Sequence, residues 1–272
     1  MSLTEKRTGH TTMPLTKKLF SIDFYTGSTD RFIEAVMEKS RARQSSCIYF
    51  ANVHMVVEAH RSTAFARIIS RADLIAPDGM PLVKCLNHFH RLRQPRIDGM
   101  TLLPQLLCAC EARQQSVFFY GGTENLLQRT KLLLERNYPH LPVAGMYAPP
   151  FRPLSPAEEE DVARMITASS ARLVFVVLGC PKQEQWMDRM KGRIPAVMLG
   201  IGAALPVLVG LRKRAPLWMQ RACLECLYRI AQEPGRLLKR YAVTNTIFLR
   251  LLAGALWNNA RPKQRARQSR PD

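Results

Sequence analysis

Asp78 lies in Ala76-Pro77-Asp78-Gly79, where an apolar run ends in a proline and a glycine. A carboxylate held at such a turn can accept a proton as a general base. The plain alternative is a turn aspartate that hydrogen-bonds its own backbone. Gly121-Gly122, followed by Thr123-Glu124, reads as a glycine turn into a helix N-terminus. Exposed N–H groups there suit a diphosphate, although two glycines also simply make a good turn. In Pro181-Lys182-Gln183-Glu184 a Gln and a Glu stand at a helix start behind a proline. They could hydrogen-bond a sugar or a nucleobase edge, or the acid could merely offset the helix dipole. Arg96, in Arg96-Ile97-Asp98-Gly99, could supply a guanidinium to a phosphate or serve in a surface ion pair.

Other motifs carry less. Cys223-Leu224-Glu225-Cys226 has Cys-x-x-Cys spacing without a second pair or a nearby His, so two helix-face residues are the better reading than zinc ligands. Cys108 and Cys110 are read the same way, and His88 and His90 show no ligand spacing. No Asp-x-Asp occurs, so the usual carboxylate pair for a nucleotide-bound divalent cation is missing. Neither a Walker-type phosphate loop nor a Gly-x-Ser-x-Gly elbow is present.

The elements that would position these groups alternate. Cys47–Ala51, Leu74–Ala76, Val117–Tyr120, Leu173–Leu178 and Ala196–Leu199 are short apolar runs without polar alternation, as expected of strands covered on both faces. Helix-length amphipathic stretches lie between them, at Asp30–Arg43, Met100–Arg113, Glu124–Asn137, Pro156–Ser169 and Gln183–Lys191. This repetition predicts an α/β fold, a Rossmann-like and largely parallel sheet flanked by helices. Ligands of such sheets bind beyond the carboxyl ends of the strands, where the Gly-, Asp-, Asn- and Gln-rich clusters collect. After Leu205 the pattern changes to a helical run from Trp218 to Gln232, a break at Pro234, and a second basic run to Tyr241.

Composition bounds the function. The 272 residues are 47% hydrophobic, enough for one large core or two modest ones, and seven irregularly spaced cysteines fit a reducing compartment. No run approaches the ~18 apolar residues of a spanning helix, and Met1–Thr12 lacks the apolar stretch of a secretory signal. The formal charge of +19 calls for an acidic partner: nucleic acid, an anionic membrane or a phosphorylated substrate. Fourteen Lys/Arg face three acids from Leu205 to Asp272, so the last quarter carries +11 of that charge.

In order along the chain, these clusters resemble the WecG/TagA/CpsF family of bacterial glycosyltransferases (glycosyltransferase family 26). The matching pieces are Asn52, Ala76–Gly79, Arg96–Gly99, Phe119–Gly122, Gly179–Trp186, Gly200–Ala203, Arg214–Trp218, Leu224–Arg229 and Gln232–Arg236. The resemblance implies an inverting, metal-independent enzyme without a cofactor. Such an enzyme would move a sugar from a UDP-sugar donor to a sugar on a polyprenyl diphosphate, with a C-terminal appendage docked on the anionic cytoplasmic face of the inner membrane. Carried onto this chain, Asp78 is the general base. Asn52, Gln183 and Glu184 orient sugar or nucleotide, Arg96 helps hold the diphosphate, and Gly121, Gly122 and Gly202 let the backbone approach the nucleotide. Arg229, Arg236 and Arg240 stabilise the leaving diphosphate.

The implied organisation is a flexible N-terminus (1–15), a catalytic α/β domain (16–204), a helical membrane-associating appendage (205–258) and a disordered basic tail (259–272). Whether residues 242–257 meet the membrane or pack on protein is left open, as is a homo-oligomer. Two departures from the family pattern bear on the donor: Phe50 replaces a Thr, and Met80-Pro81 follows the Asp-Gly pair. They point to the xanthan- or acetan-type exopolysaccharide subgroup, with β-1,4 transfer of glucose from UDP-glucose to glucosyl-diphospho-undecaprenol. The alternative is transfer of N-acetylmannosamine, or its uronate, onto N-acetylglucosaminyl-diphospho-undecaprenol. A nucleic-acid-binding protein and a non-catalytic scaffold are the readings from other classes. The charge on an apolar-faced tail argues against a nucleic-acid partner.

Overall fold

The computed structural model describes residues 15–260, and the expectations for 1–14 and 261–272 fall outside them. The chain opens with an antiparallel hairpin, β1 (Thr16–Leu19) and β2 (Ile22–Tyr25). It continues through α1 (Thr29–Arg41), β3 (Ser46–Ala51), α2 (Val53–Arg61), α3 (Thr63–Ser70), β4 (Leu74–Pro77), α4 (Met80–His90) and α5 (Gly99–Ala112). There follow β5 (Val117–Gly121), α6 (Glu124–Asn137), β6 (Val143–Tyr147), α7 (Pro156–Ala168), β7 (Leu173–Val177), α8 (Lys182–Met190) and β8 (Val197–Gly200). The C-terminal elements are α9 (Ala204–Leu208), α10 (Leu217–Arg221), α11 (Glu225–Gln232) and α12 (Pro234–Ala260).

Six strands form one parallel sheet in the order β4-β3-β8-β7-β5-β6. Every residue of β3, β5, β7 and β8 is buried, which is why these strands read as unbroken apolar runs. Helices α2, α3, α4, α7 and α8 cover one face, and α1, α5, α6 and α9 cover the other. The connection leaving β3 therefore goes to one face while that leaving its neighbour β8 goes to the opposite one. Outgoing chains that diverge in this way open a crevice at the carboxyl ends of the strands.

All five strands expected from sequence are present, within a residue or so of their expected ends. The helices α2, α3 and α4, strand β6 and the N-terminal hairpin were not expected. Strand β6 is an edge strand interrupted by Gly145, and it lacks the continuous apolar run that marks the inner strands. The stretch from Trp218 to Gln232 is two helices rather than one, separated where Cys223 takes a left-handed φ of 64°. The break expected at Pro234 is present: α11 ends at Gln232, Glu233 leaves the helical conformation, and Pro234 begins α12, where its missing N–H is no loss.

The C-terminal quarter folds back on the sheet domain. Leu205, at the expected domain boundary, is fully buried with α5 and α1. The 27-residue α12 lies along α2, burying Leu237, Thr244 and Phe248, and Phe248 meets the ring of Phe20 edge-on at 5.6 Å. Residues 242–257 thus pack one face on protein. Among the described residues no helix is long and apolar enough to cross a membrane.

Candidate active site

The crevice is assembled by backbone hydrogen bonds that run one residue past the strands. The Ala51 carbonyl accepts from both Asp78 N (2.9 Å) and Gly79 N (3.3 Å), which draws the end of β4 against the end of β3. A side chain at position 79 would come within 3.4 Å of the Asn52 backbone. Asp78 and Asn52 are neighbours for that reason. Asn52 N-caps α2, its Oδ1 accepting from Met55 N at 3.3 Å, so its oxygen serves the helix and its amide nitrogen is the end left for a ligand.

Asp78 is about a quarter exposed at 23%. Burial pushes its carboxyl up to about 6. Arg96 and Arg229 oppose the rise, and Asp98 and Glu225 add to it. A carboxylate that titrates near neutrality and stays partly open to solvent suits proton abstraction.

Arg96 is deeply set, and its donors are turned to protein. Nε donates to the Asp78 carbonyl at 2.5 Å, and Nη2 lies 3.4 Å from Asp78 Oδ1. Nη2 also reaches Glu225 Oε2 at 2.9 Å, and Nη1 reaches Gln220 Oε1 at 3.4 Å. Asp98, which N-caps α5, receives Arg214 Nη2 at 2.8 Å and stands 3.9 Å from Arg96 Nε. Arg214, Gln220 and Glu225 belong to the C-terminal quarter, so this network joins it to the sheet domain at the base candidate itself. Arg96 here bridges carboxylates and is not an open cationic site.

Gln183 and Glu184 are buried below the crevice floor. Gln183 Oε1 accepts from Gly179 N (3.1 Å), while Nε2 donates to the Gly200 carbonyl (3.0 Å) and Glu184 Oε1 (2.8 Å). One amide thus ties the ends of β7 and β8 together. A side chain at position 200 would collide with it at 2.8 Å, and at Gly202 one would crowd Oε1 at 3.2 Å. Gly121 has a φ of 106°, and a Cβ there would strike the Val177 backbone at 2.8 Å. Gly122, at φ 84°, leads directly to Thr123, the N-cap of α6.

Arg229 is close enough to depress the Asp78 carboxyl. Arg240, on α12, sits near His54 in the first turn of α2 and near Cys180 in the loop after β7. Burial and then Arg240 hold the His54 imidazole below its usual value, and both Arg240 Nε and His54 Nδ1 are buried without a hydrogen-bond partner among the described residues. Arg240 Nε is thus an unpartnered donor beside the N-termini of α2 and α8, while His54 Nδ1 lies 3.8 Å from Glu58 Oε1. The Arg236 side chain lies outside the described residues.

Sequence reasoning did not single out Asp98, Gln220, Glu225 or His54. Glu225 left one trace, as one of three acids in a quarter that carries fourteen basic residues. Among the described residues, no group of three or more His, Cys, Asp or Glu is gathered as a metal site.

Phe50 is buried (6% exposed) in the α1/α5 core, its ring 6.3 Å from that of Phe32. It therefore fills the interior under β3 and offers nothing to a ligand. Met80 and Pro81 form the first turn of α4, where a proline is pre-organised. The two departures taken to mark a glucose donor are thus accounted for by packing and helix initiation.

A doubly wound parallel sheet with a partly buried carboxylate beyond its strand ends is the architecture of the open α/β class, whose ligands bind at that edge. The chain belongs to the glycosyl transferase WecG/TagA/CpsF family, whose profile matches residues 17–262. It is 31% identical over 224 residues to an N-acetylglucosaminyldiphosphoundecaprenol N-acetyl-beta-D-mannosaminyltransferase of Bacillus spizizenii, covering 81% of this chain and 85% of the relative. A Staphylococcus aureus protein of the same name is 28% identical over 225 residues, covering 80% of this chain and 85% of its own length. Both are named for an N-acetylated sugar, so the expected glucose donor and exopolysaccharide subgroup find no counterpart in these relatives.

Glu184 yields a stability prediction. Burial raises its carboxyl to about 7 from a usual value of 4.5, and its Oε2 has no hydrogen-bond partner among the described residues. The folded state therefore prefers the protonated form, and the stability this contributes is lost as pH rises through the folded value. Glu184→Gln keeps the acceptor for Gln183. Thermal melts should show it more stable than wild type by roughly 1–2 kcal/mol at about pH 8.5, with the gain gone by about pH 5. Equal differences at both pH values would contradict a titrating buried acid.

Proposed function

We propose that the protein transfers N-acetylmannosamine, with inversion, from a UDP-sugar to the N-acetylglucosamine of a polyprenyl-diphosphate-linked acceptor at the cytoplasmic face of the membrane. The observation that carries this reading is Asp78, a carboxylate about a quarter exposed and raised to about 6 at the strand-end crevice of a chain in this family. The names of its relatives supply the donor sugar and the acceptor.

In this mechanism the Asp78 carboxylate takes the proton of the acceptor hydroxyl as that oxygen attacks the anomeric carbon. The bond from that carbon to the diphosphate oxygen breaks on the opposite side, and the electron pair leaves with UDP. Arg229, Arg240 and the N-termini of α2 and α8 would offset the charge that develops on the diphosphate, Arg229 and the α2 N-terminus from the neighbourhood of Asp78. Asn52 orients a sugar hydroxyl through its amide. Gln183 acts beneath the floor by keeping the β7 and β8 ends at a fixed separation.

The outer face of the C-terminal quarter supports a membrane surface as the place where acceptor is met. Leu238, Leu249 and Leu256 are exposed and fall on one stripe of α12, since steps of 11 and 18 residues return to the same helical face. Leu217 and Trp218 are also exposed, and Arg221, Lys239 and Arg250 lie nearby in sequence. An apolar stripe with flanking cations is the pattern that binds anionic lipid from one side.

Three measurements test this reading. Asp78→Asn should lose turnover by ~10²–10⁴-fold while keeping its melting temperature, and the wild-type kcat/KM should fall as pH drops through about 6. Unchanged turnover removes Asp78 from the base role. With EDTA present, the purified protein is expected to use UDP-N-acetylmannosamine with N-acetylglucosaminyl-diphospho-polyprenol. Transfer only from UDP-glucose to the glucosyl lipid would restore the exopolysaccharide reading. Replacing Leu238 and Leu249 by Ser should weaken co-sedimentation with phosphatidylglycerol vesicles by about tenfold or more; undiminished binding would place the membrane contact elsewhere.

A further inference from the structure

Glu225 is the acid that the basic C-terminal quarter turns inward. It stands in the first turn of α11, is about one-fifth exposed, and holds Arg96 Nη2 through Oε2 at 2.9 Å and Oε1 at 3.3 Å. The same nitrogen lies 3.4 Å from Asp78 Oδ1. Two carboxylates, one from the sheet domain and one from the C-terminal quarter, therefore share one guanidinium nitrogen, and Glu225 has the shorter contact. The rest of the guanidinium is occupied, Nε by the Asp78 carbonyl and Nη1 by Gln220. If Glu225 were absent, Nη2 would be free to close on Asp78. With Nε already anchored to that residue, Arg96 would pair fully with the carboxylate, and a fully paired carboxylate is a weak base.

We propose that Glu225 is a positioning residue for the transfer reaction, one that draws the outer nitrogen of Arg96 away from Asp78 and so keeps Asp78 a competent base when α11 is docked. This rests on the reading of Asp78 as the general base. The charged groups facing Asp78 are Arg96 and Asp98 from the segment before α5, and Arg229 and Glu225 from α11. Docking of α11 thus brings one charge of each sign. Arg229 acts on Asp78 by its charge, whereas Glu225 acts by its charge and also through its hold on Arg96. The residue links closure of the C-terminal quarter to the chemistry without touching substrate.

The test is a carbon-13 carboxyl titration of the full-length protein, with the Asp78 signal identified by its loss in Asp78→Asn. In Glu225→Gln the Asp78 midpoint should fall by about one pH unit. The acid limb of kcat/KM should move the same way, and kcat near neutral pH should drop roughly threefold to tenfold with the donor KM little changed. Glu225→Asp keeps the charge on a shorter stem and should lie between wild type and Glu225→Gln. If Glu225→Gln does not fold, Glu225→Asp must still lower the midpoint. An unmoved Asp78 midpoint in the folded variant overturns the proposal even if activity falls. Full turnover in Asp78→Asn overturns instead the base assignment on which it rests.

Discussion

Arg96 is the interaction on which the site depends. Its guanidinium is fixed to the backbone of Asp78 and shared among Asp78, Asp98, Glu225 and Gln220. Removing a buried arginine from such a set would leave several carboxylates uncompensated, which costs far more than any single hydrogen bond returns. The network works as a joint as well as a charge store. The sheet domain supplies Asp78 and Asp98, the last quarter supplies Arg214, Gln220 and Glu225, and the two parts meet at the Asp78 carboxylate.

Beneath the joint, the crevice has a rigid floor. Gln183 gives its amide to three backbone and side-chain partners, and a Cβ at 200 would come within 2.8 Å of that amide while one at 202 would crowd it at 3.2 Å. Gly121 meets the same constraint against β7. Residues that look like ligand contacts in the sequence thus act by holding strand ends in register. The groups with open capacity lie above the floor, at Asp78, Asn52, Arg229 and Arg240.

The C-terminal quarter carries both kinds of interaction at once. Its inner face buries Phe248 and Thr244 against α2 and delivers Glu225 to Arg96, while its outer face shows Leu238, Leu249 and Leu256 to solvent. A surface that bound lipid through the outer stripe would hold the inner face in place over the crevice. Substrate arriving in the membrane would then meet a completed site, and nucleotide sugar in solution would be less exposed to water at the reacting carbon.

Much of the fold was legible in the residues. Unbroken apolar runs at Cys47–Ala51, Val117–Tyr120 and Leu173–Leu178 can be stable only in the middle of a two-sided sheet, so strand identity and the parallel class follow from hydrophobic pattern alone. The position of Asp78 at a strand end was legible for the same reason. Strand β6 and helices α2 to α4 were not, because an edge strand with a glycine lacks a continuous apolar run and helices of 8–11 residues span only two to three turns. Nor could the sequence rank Arg96, Gln183 and Phe50 as ligand groups or as structure. That depends on which partners burial leaves available, a property of pairs such as Arg96 and Glu225 that are 129 residues apart in the chain. Local pattern determined which elements form and where polar residues gather, since helix and strand periods are short-range. Only the tertiary structure decided which of those polar groups are spent on one another and which remain for chemistry, since hydrogen-bond capacity is settled by long-range contacts.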